Sequence, residues 1–196
     1  KIRNVSRETI YQKYKYKLLI MNNKKLIENL RIIPDFPQKG ILFRDVTTLF
    51  KDPECLRIME EELYDLYKDK GITKIVGIES RGFVMASALA LKLKAGVVLC
   101  RKPGKLPGDT IQESYSKEYG TDTIEIHKDA IEENDVILLH DDLLATGGTM
   151  KAAYNLVKKF NPKKIYVNFI MEITDEGLHG REIFEEGTDV KALMTM

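Results

Sequence analysis

Residues 138–150 read LLHDDLLATGGTM, and groups able to do chemistry stand close together in them. Two adjacent carboxylates, Asp141 and Asp142, follow an apolar run. A Gly147–Gly148 pair flanked by Thr146 and Thr149 comes shortly after. Glycine lets the backbone approach a ligand closely and take positive φ. With a helix starting at Gly148 and Ala145 opening the turn, the first helical amides and the two threonine hydroxyls form a cradle for an anion. The acid pair narrows the choice of anion. Two carboxylates repel a triphosphate held beside them, but suit the vicinal hydroxyls of a ribose whose 5′-phosphate lies in the turn. The stretch has neither the lysine of a GxxxxGK[ST] loop nor the GxGxxG of a dinucleotide fold. The architectural alternative is an Asp-Asp pair capping a turn that the glycines end.

The surrounding pattern supplies elements to position these groups. KIVGIE (74–79), GVVLCR (96–101), DTIEIH (122–127), DVILLHD (135–141) and KIYVNFIMEI (164–173) read as strands, with another near 189–194. Between them, 81–94, 148–160 and a stretch near 178–186 read as helices, and upstream so do roughly 22–31 and 53–69. This alternation predicts an α/β fold, a mostly parallel central sheet flanked by helices. Ligands of such sheets sit beyond the carboxyl ends of the strands, which points to 79–82, 101–108 and 141–149. The strand before the acid pair is expected to end at His140, so that Asp141 and Asp142 emerge at the sheet edge. ESRGF (79–83) offers the Ser80 and Arg81 amides at a helix start. RKPGKLPG (101–108) gathers Arg101, Lys102 and Lys105, either as anion ligands or as a solvated loop. The polar, glycine-punctuated segment 102–120 reads as a long irregular loop, and such loops are commonly lids.

Composition excludes several other classes. The chain has 196 residues, 43% of them hydrophobic and 31% charged, enough for a core of one domain. A net charge of +1 gives no basic field for nucleic acid. No apolar run approaches the ~20 residues that span a bilayer. Cys55 and Cys100 lack metal-ligand spacing and fit reduced thiols in the cytoplasm. Residues 1–20 stand apart, with Lys1, Arg3, Arg7, Lys13, Lys15 and Lys17 against the single acid Glu8. They form a basic extension, either an appended or partner-contacting helix or a targeting segment. His140 either packs at a strand end or bonds an aspartate; His127 and His179 receive no role.

The acid pair and TGGT turn after an apolar strand resemble the 5-phosphoribosyl-1-pyrophosphate (PRPP) motif of type I phosphoribosyltransferases. PDFPQKGILFRD (34–45), ESRGF, RKPGKLPG and YSKEYG (115–120) narrow the resemblance to the adenine phosphoribosyltransferases, over about 31–187. The resemblance implies one domain from 21 to 196, with a small N-terminal hood around 33–50 and a flexible catalytic loop around 102–120. It implies transfer of ribose 5-phosphate from PRPP to adenine, giving AMP and pyrophosphate. Glu118 would move the proton at the purine, and Tyr119 would contact phosphate or brace the closed loop. Ser80, Arg81, Arg101, Lys102 and Lys105 would take the leaving pyrophosphate, and Arg81 would also reach the base. Backbone groups of Leu42 and Arg44 would read the adenine edge while Phe43 stacks on the ring. Mg²⁺ would be held mainly by PRPP, with no metal site made by the protein alone. A cytoplasmic homodimer is implied, with no nucleic acid or membrane partner. Two alternatives stay open: a purine phosphoribosyltransferase for another base, and a PRPP-binding regulator of nucleic acid. Against the regulator, the only excess of basic charge lies in residues 1–17, too short for a helix-turn-helix unit.

Overall fold

A computed structural model describes residues 22–117, 120–174 and 177–196. The basic extension 1–20, Glu118 and Tyr119 lie outside the described residues. The chain forms two compact units, one ending at Ile58 and one running from Met59 to Met196.

In the first unit a helix over 22–29 (α1) precedes β1 (Arg31–Pro34), which pairs antiparallel with β2 (Leu42–Asp45). The connection reverses because Asp35 and Gly40 take φ of 58° and 90°, and the Asp35 carboxylate accepts the Gly40 N–H at 2.6 Å. Arg31 sits opposite Asp45 and donates to it from Nε at 3.0 Å, fixing the open end of the hairpin. The chain continues as α2 (Thr47–Lys51) and α3 (Pro53–Tyr67). Pro53 occupies the first helical position, where no N–H is needed, and Asp52 caps the Cys55 N–H at 2.8 Å.

The second unit is built on a five-stranded sheet in the order β4-β3-β7-β8-β9. Its strands are β3 (Lys74–Ile78), β4 (Gly96–Cys100), β7 (Val136–Leu144), β8 (Lys164–Glu172) and β9 (Asp189–Thr195). Every neighbouring pair is parallel. Ile137, Leu138 and Leu139 are consecutive and all fully buried, so both faces are covered at the centre, as expected for an uninterrupted apolar strand. Two helices of this unit, α4 (Gly82–Leu93) and α5 (Gly148–Lys158), bury one stripe each, Met85, Ala86 and Leu89 on α4 and Met150, Ala153, Leu156 and Val157 on α5. Chain order runs outward from β3 to β4 on one side and from β7 to β9 on the other. The order therefore reverses between β3 and β7, and such a reversal opens a crevice at the strands' carboxyl ends.

Three local expectations need correction. β7 does not stop at His140 but continues through Asp141 and Asp142 to Leu144, because β8 is long enough to pair Leu143 with Met171 and Leu144 with Glu172. The stretch 102–120 is not all irregular: β5 (Thr110–Lys117) pairs antiparallel with β6 (Gly120–His127). Ile111 faces Ile126 across this ladder, and Ile111 and Tyr115 pack against the main core, so alternate residues bury an otherwise polar strand. Near 178–186 only a 3-10 turn forms, Gly180–Ile183. Glycines at 177, 180 and 187 leave too short a run to offset helix nucleation.

Candidate active site

The carboxyl ends of β3, β4 and β7 surround a hollow of about 300 Å³ in the second unit. Its lining includes Glu79, Ser80 and Arg81 from the β3–α4 turn, and Arg101 and Lys102 from the end of β4. Asp141 and Asp142 come from β7, Thr149 from α5, Tyr115 from β5 and Asp122 from β6. The three stretches expected to converge, 79–82, 101–108 and 141–149, therefore all contribute.

Each contribution has a local cause. α4 begins close against β7: a Cβ on Gly82 would lie 2.7 Å from the His140 carbonyl oxygen and 3.2 Å from Asp141 Oδ1. Only glycine allows that approach, and it brings Arg81 alongside the acid pair. The Arg81 Nε donates to Asp142 Oδ2, and Asp142 is 3% exposed. Asp141 accepts the Asp142 N–H at 2.8 Å. Burial first, and then the negative charge of Asp142, hold the Asp141 carboxyl well above the usual carboxylate range. The two acids are thus unlike: one is neutralised by a guanidinium, the other retains its proton more readily.

On the opposite side a carboxylate organises the cations. Glu79 accepts from Arg101 twice, Nε at 3.2 Å and Nη2 at 3.1 Å, and takes the Lys102 N–H at 3.0 Å. Arg101 Nη1 donates to the Lys105 carbonyl oxygen at 2.9 Å, closing the 101–105 turn. The Arg101 guanidinium beside Glu79 holds its carboxyl below the usual range. Glu79→Gln keeps the shape but weakens charge-assisted bonds worth roughly 1.5–3 kcal/mol in general. We expect it to lower kcat/KM for a phosphorylated sugar substrate by about tenfold, read by steady-state kinetics with that substrate varied.

The glycine turn leads into a helix whose N-terminus carries no side-chain cap. Gly147 stands at φ 79° before this helix, α5, which has no acid in its first turn. Its first amides therefore have no capping side chain, and of the predicted residues 145–149 Thr149 alone is among those that line the hollow. Ala145, Thr146, Gly147 and Gly148 form the turn that delivers Thr149 to the hollow. Thr149 Oγ1 lies 2.8 Å from the Tyr115 hydroxyl, which also donates to Asp122 at 3.4 Å.

Of the predicted site residues, Ser80, Arg81, Arg101, Lys102, Asp141, Asp142 and Thr149 line one hollow. Lys105 closes the cationic turn through its backbone. Leu42, Phe43 and Arg44 are consecutive on β2 of the first unit, where Phe43 meets Phe36 edge to face at 5.1 Å and Arg44 Nη1 donates to the Leu42 carbonyl oxygen at 2.7 Å. Glu118 and Tyr119 lie outside the described residues. The sequence reading missed Glu79 as an organiser, and Tyr115 and Asp122 as lining residues. Tyr115 was detectable only as part of YSKEYG. His140 is fully buried and bonds Asn168 through Nδ1 at 2.8 Å rather than an aspartate; burial lowers its pKa to about 4, so it is neutral at ordinary pH.

The model of the phosphoribosyl transferase domain matches residues 45–180. An adenine phosphoribosyltransferase of Bacteroides thetaiotaomicron is 61% identical over 178 residues, covering 91% of this chain and all of that protein. Among solved structures, the adenine phosphoribosyltransferase of Rhodothermus marinus superposes with a TM-score of 0.84 at 44% identity, covering 90% of this chain and 99% of its own. The Giardia lamblia enzyme complexed with 9-deazaadenine gives a TM-score of 0.82 at 41% identity, with 88% and 97% covered.

Proposed function

Since the chain belongs to the phosphoribosyltransferase family, in its adenine phosphoribosyltransferase branch, we propose that it transfers ribose 5-phosphate from PRPP to adenine, giving AMP and pyrophosphate. One observation carries this reading: Asp141, Asp142 and Thr149 share a hollow with Ser80, Arg81, Arg101 and Lys102. That combination provides acceptors for sugar hydroxyls and donors for phosphates at both ends of one ligand.

Breaking the anomeric C–O bond builds positive charge on the ribose while pyrophosphate departs. Catalysis here rests on positioning and on preorganised charge. The 145–149 turn takes the 5′-phosphate on backbone amides and threonine hydroxyls. Asp141 and Asp142 accept from the ribose hydroxyls and face the charge that develops on the ring. The Ser80 and Arg81 amides and the cations Arg101, Lys102 and Lys105 take the pyrophosphate. On the first unit, Leu42 and Arg44 supply backbone groups for the adenine edge and Phe43 an aromatic face. The hydrogen-bonding edge of a 6-oxo purine is reversed, and an unpaired polar edge costs about 1–3 kcal/mol. Glu118 exchanges the proton at the purine nitrogen, with Tyr119 bracing the loop. Glu118→Gln is expected to lower kcat by about 100-fold while the KM for adenine moves less than about threefold; equal effects on both would remove Glu118 from proton transfer.

Mg²⁺ fits this site as an ion carried by the substrate. Among the described residues no group of three or more His, Cys, Asp or Glu side chains is placed to hold a metal, and the acids in the hollow are two adjacent aspartates, Glu79 on Arg101 and Asp122. An ion that keeps water and phosphate oxygens in its shell suits such a site, where it would offset charge on the leaving pyrophosphate. The edge strand β4 and helix α4 expose Val97, Leu99, Val84 and Leu91, the last at 84%, a face that supports a homodimer. Cys55 and Cys100 are buried and free, which supports a reducing cytoplasm.

The test is a panel of adenine, hypoxanthine, guanine and xanthine, each with PRPP and Mg²⁺, read by chromatography. AMP from adenine alone supports the proposal. Equal or greater turnover of another base reassigns the base specificity. No nucleotide from any base, with PRPP still bound, overturns it.

A further inference from the structure

The glycine turn is held from a second direction by a segment that does not line the hollow. A Cβ on Gly147 would lie 2.5 Å from Ile183 Cδ1 and 2.7 Å from the Gly180 carbonyl oxygen. A Cβ on Gly180 would lie 2.1 Å from the Ala145 carbonyl oxygen. The backbone of the 145–147 turn and the 180–183 turn are therefore in direct contact at two points. Contact alone does not fix a loop unless the contacting turn is itself fixed, and one side chain does that. Arg181 donates to Glu172 from Nε at 2.9 Å and again from Nη2, and from Nη1 to the Val190 carbonyl oxygen. Glu172 is 7% exposed and ends β8. Its register partner on β7 is Leu144, the last strand residue before the glycine turn. One guanidinium thus ties the 180–183 turn to β8 and β9, and β8 is paired with the end of β7 from which the glycine turn departs.

We propose that Arg181, acting through Gly180 and Ile183, is a positioning residue for the cradle that holds the 5′-phosphate of PRPP. This rests on reading 145–149 as that cradle. Arg181 touches no reacting atom. It sets where the turn amides stand, and so governs how well the sugar phosphate is held rather than how fast the anomeric bond breaks. A lysine is a point charge that cannot make the planar two-point contact and also reach the Val190 carbonyl.

The test compares Arg181→Met, Arg181→Lys and Glu172→Gln with the unaltered protein. KM for PRPP, KM for adenine and kcat are measured, with PRPP affinity by calorimetry. KM for PRPP is expected to rise about tenfold in Arg181→Met, less in Arg181→Lys and least in Glu172→Gln, with kcat and the adenine KM within twofold. Glu172→Gln keeps the geometry closest to the original and stands as the test if the Arg181 variants fail to fold. Unchanged PRPP affinity in folded variants overturns the proposal. So does a parallel fall in all parameters, which marks a general loss of structure. If the unaltered protein binds PRPP but makes no nucleotide, the reaction reading fails, and graded calorimetric losses still support the role of Arg181.

Discussion

Asp142→Asn is expected to lower kcat/KM for PRPP by two to three orders of magnitude, about 2.7–4 kcal/mol of transition-state stabilisation. The substitution keeps the size of the side chain and removes its charge. Asp142 is 3% exposed and receives the Arg81 Nε, so the negative charge acts in a place that water reaches poorly, where it is strongest. With the amide, the ribose loses a charged acceptor and Arg81 loses the partner that orients it. The effect on folding is smaller. The Arg81 side chain is 41% exposed, so water compensates much of the lost pairing, and the stability cost is about 1 kcal/mol. A second signature follows from the coupling between the acids. The charge of Asp142 helps raise the pKa of Asp141. Its removal lets Asp141 ionise at lower pH, so the acid limb of the residual pH–rate profile moves downward. A folded variant with unaltered PRPP kinetics would exclude the acid pair from the ribose.

Gly147→Ala is expected to damage both the fold and PRPP binding. An L residue at φ 79° costs about 1–2 kcal/mol. The added methyl also has nowhere to go. Ile183 Cδ1 is the end of a flexible side chain and can swing away from it. The Gly180 carbonyl oxygen, 2.7 Å from the new Cβ, is backbone and cannot move without the turn. The cradle must therefore open, and the KM for PRPP is expected to rise more than tenfold, with a melting temperature several degrees lower by calorimetry. The neighbouring position is an internal contrast for stability. Gly148 is helical, and its nearest atoms are Tyr115 ring carbons at 3.6 Å and 3.9 Å, an ordinary contact. Gly148→Ala should leave the melting temperature close to that of the unaltered protein. Equal destabilisation of the two variants would mean that the strain at Gly147 is not local.

Much of the site was legible because its parts are local patterns. The acid pair, the TGGT turn, the cationic RKPGK run and the ESR turn each lie within a few residues. The alternation of apolar strands and helices required their carboxyl-end loops to converge, and in the hollow they do. The hairpin of β5 and β6 was less legible, because a strand such as TIQESYSK is ordered by what it packs against rather than by its own polarity.

The linear order of residues by itself determined the α/β pattern, the parallel sheet and the chemical character of the loops that would meet. Periodicity and turn residues act over one or two turns of chain, so a single sequence displays them. Only the tertiary structure decided that β7 carries the acids inside a ladder extended by β8. It alone joined Glu79 to Arg101 and Arg81 to Asp142, and set the 180–183 turn against the glycine turn. Those pairings span tens of residues, and their energies depend on distance and burial, which exist only once the chain has closed on itself.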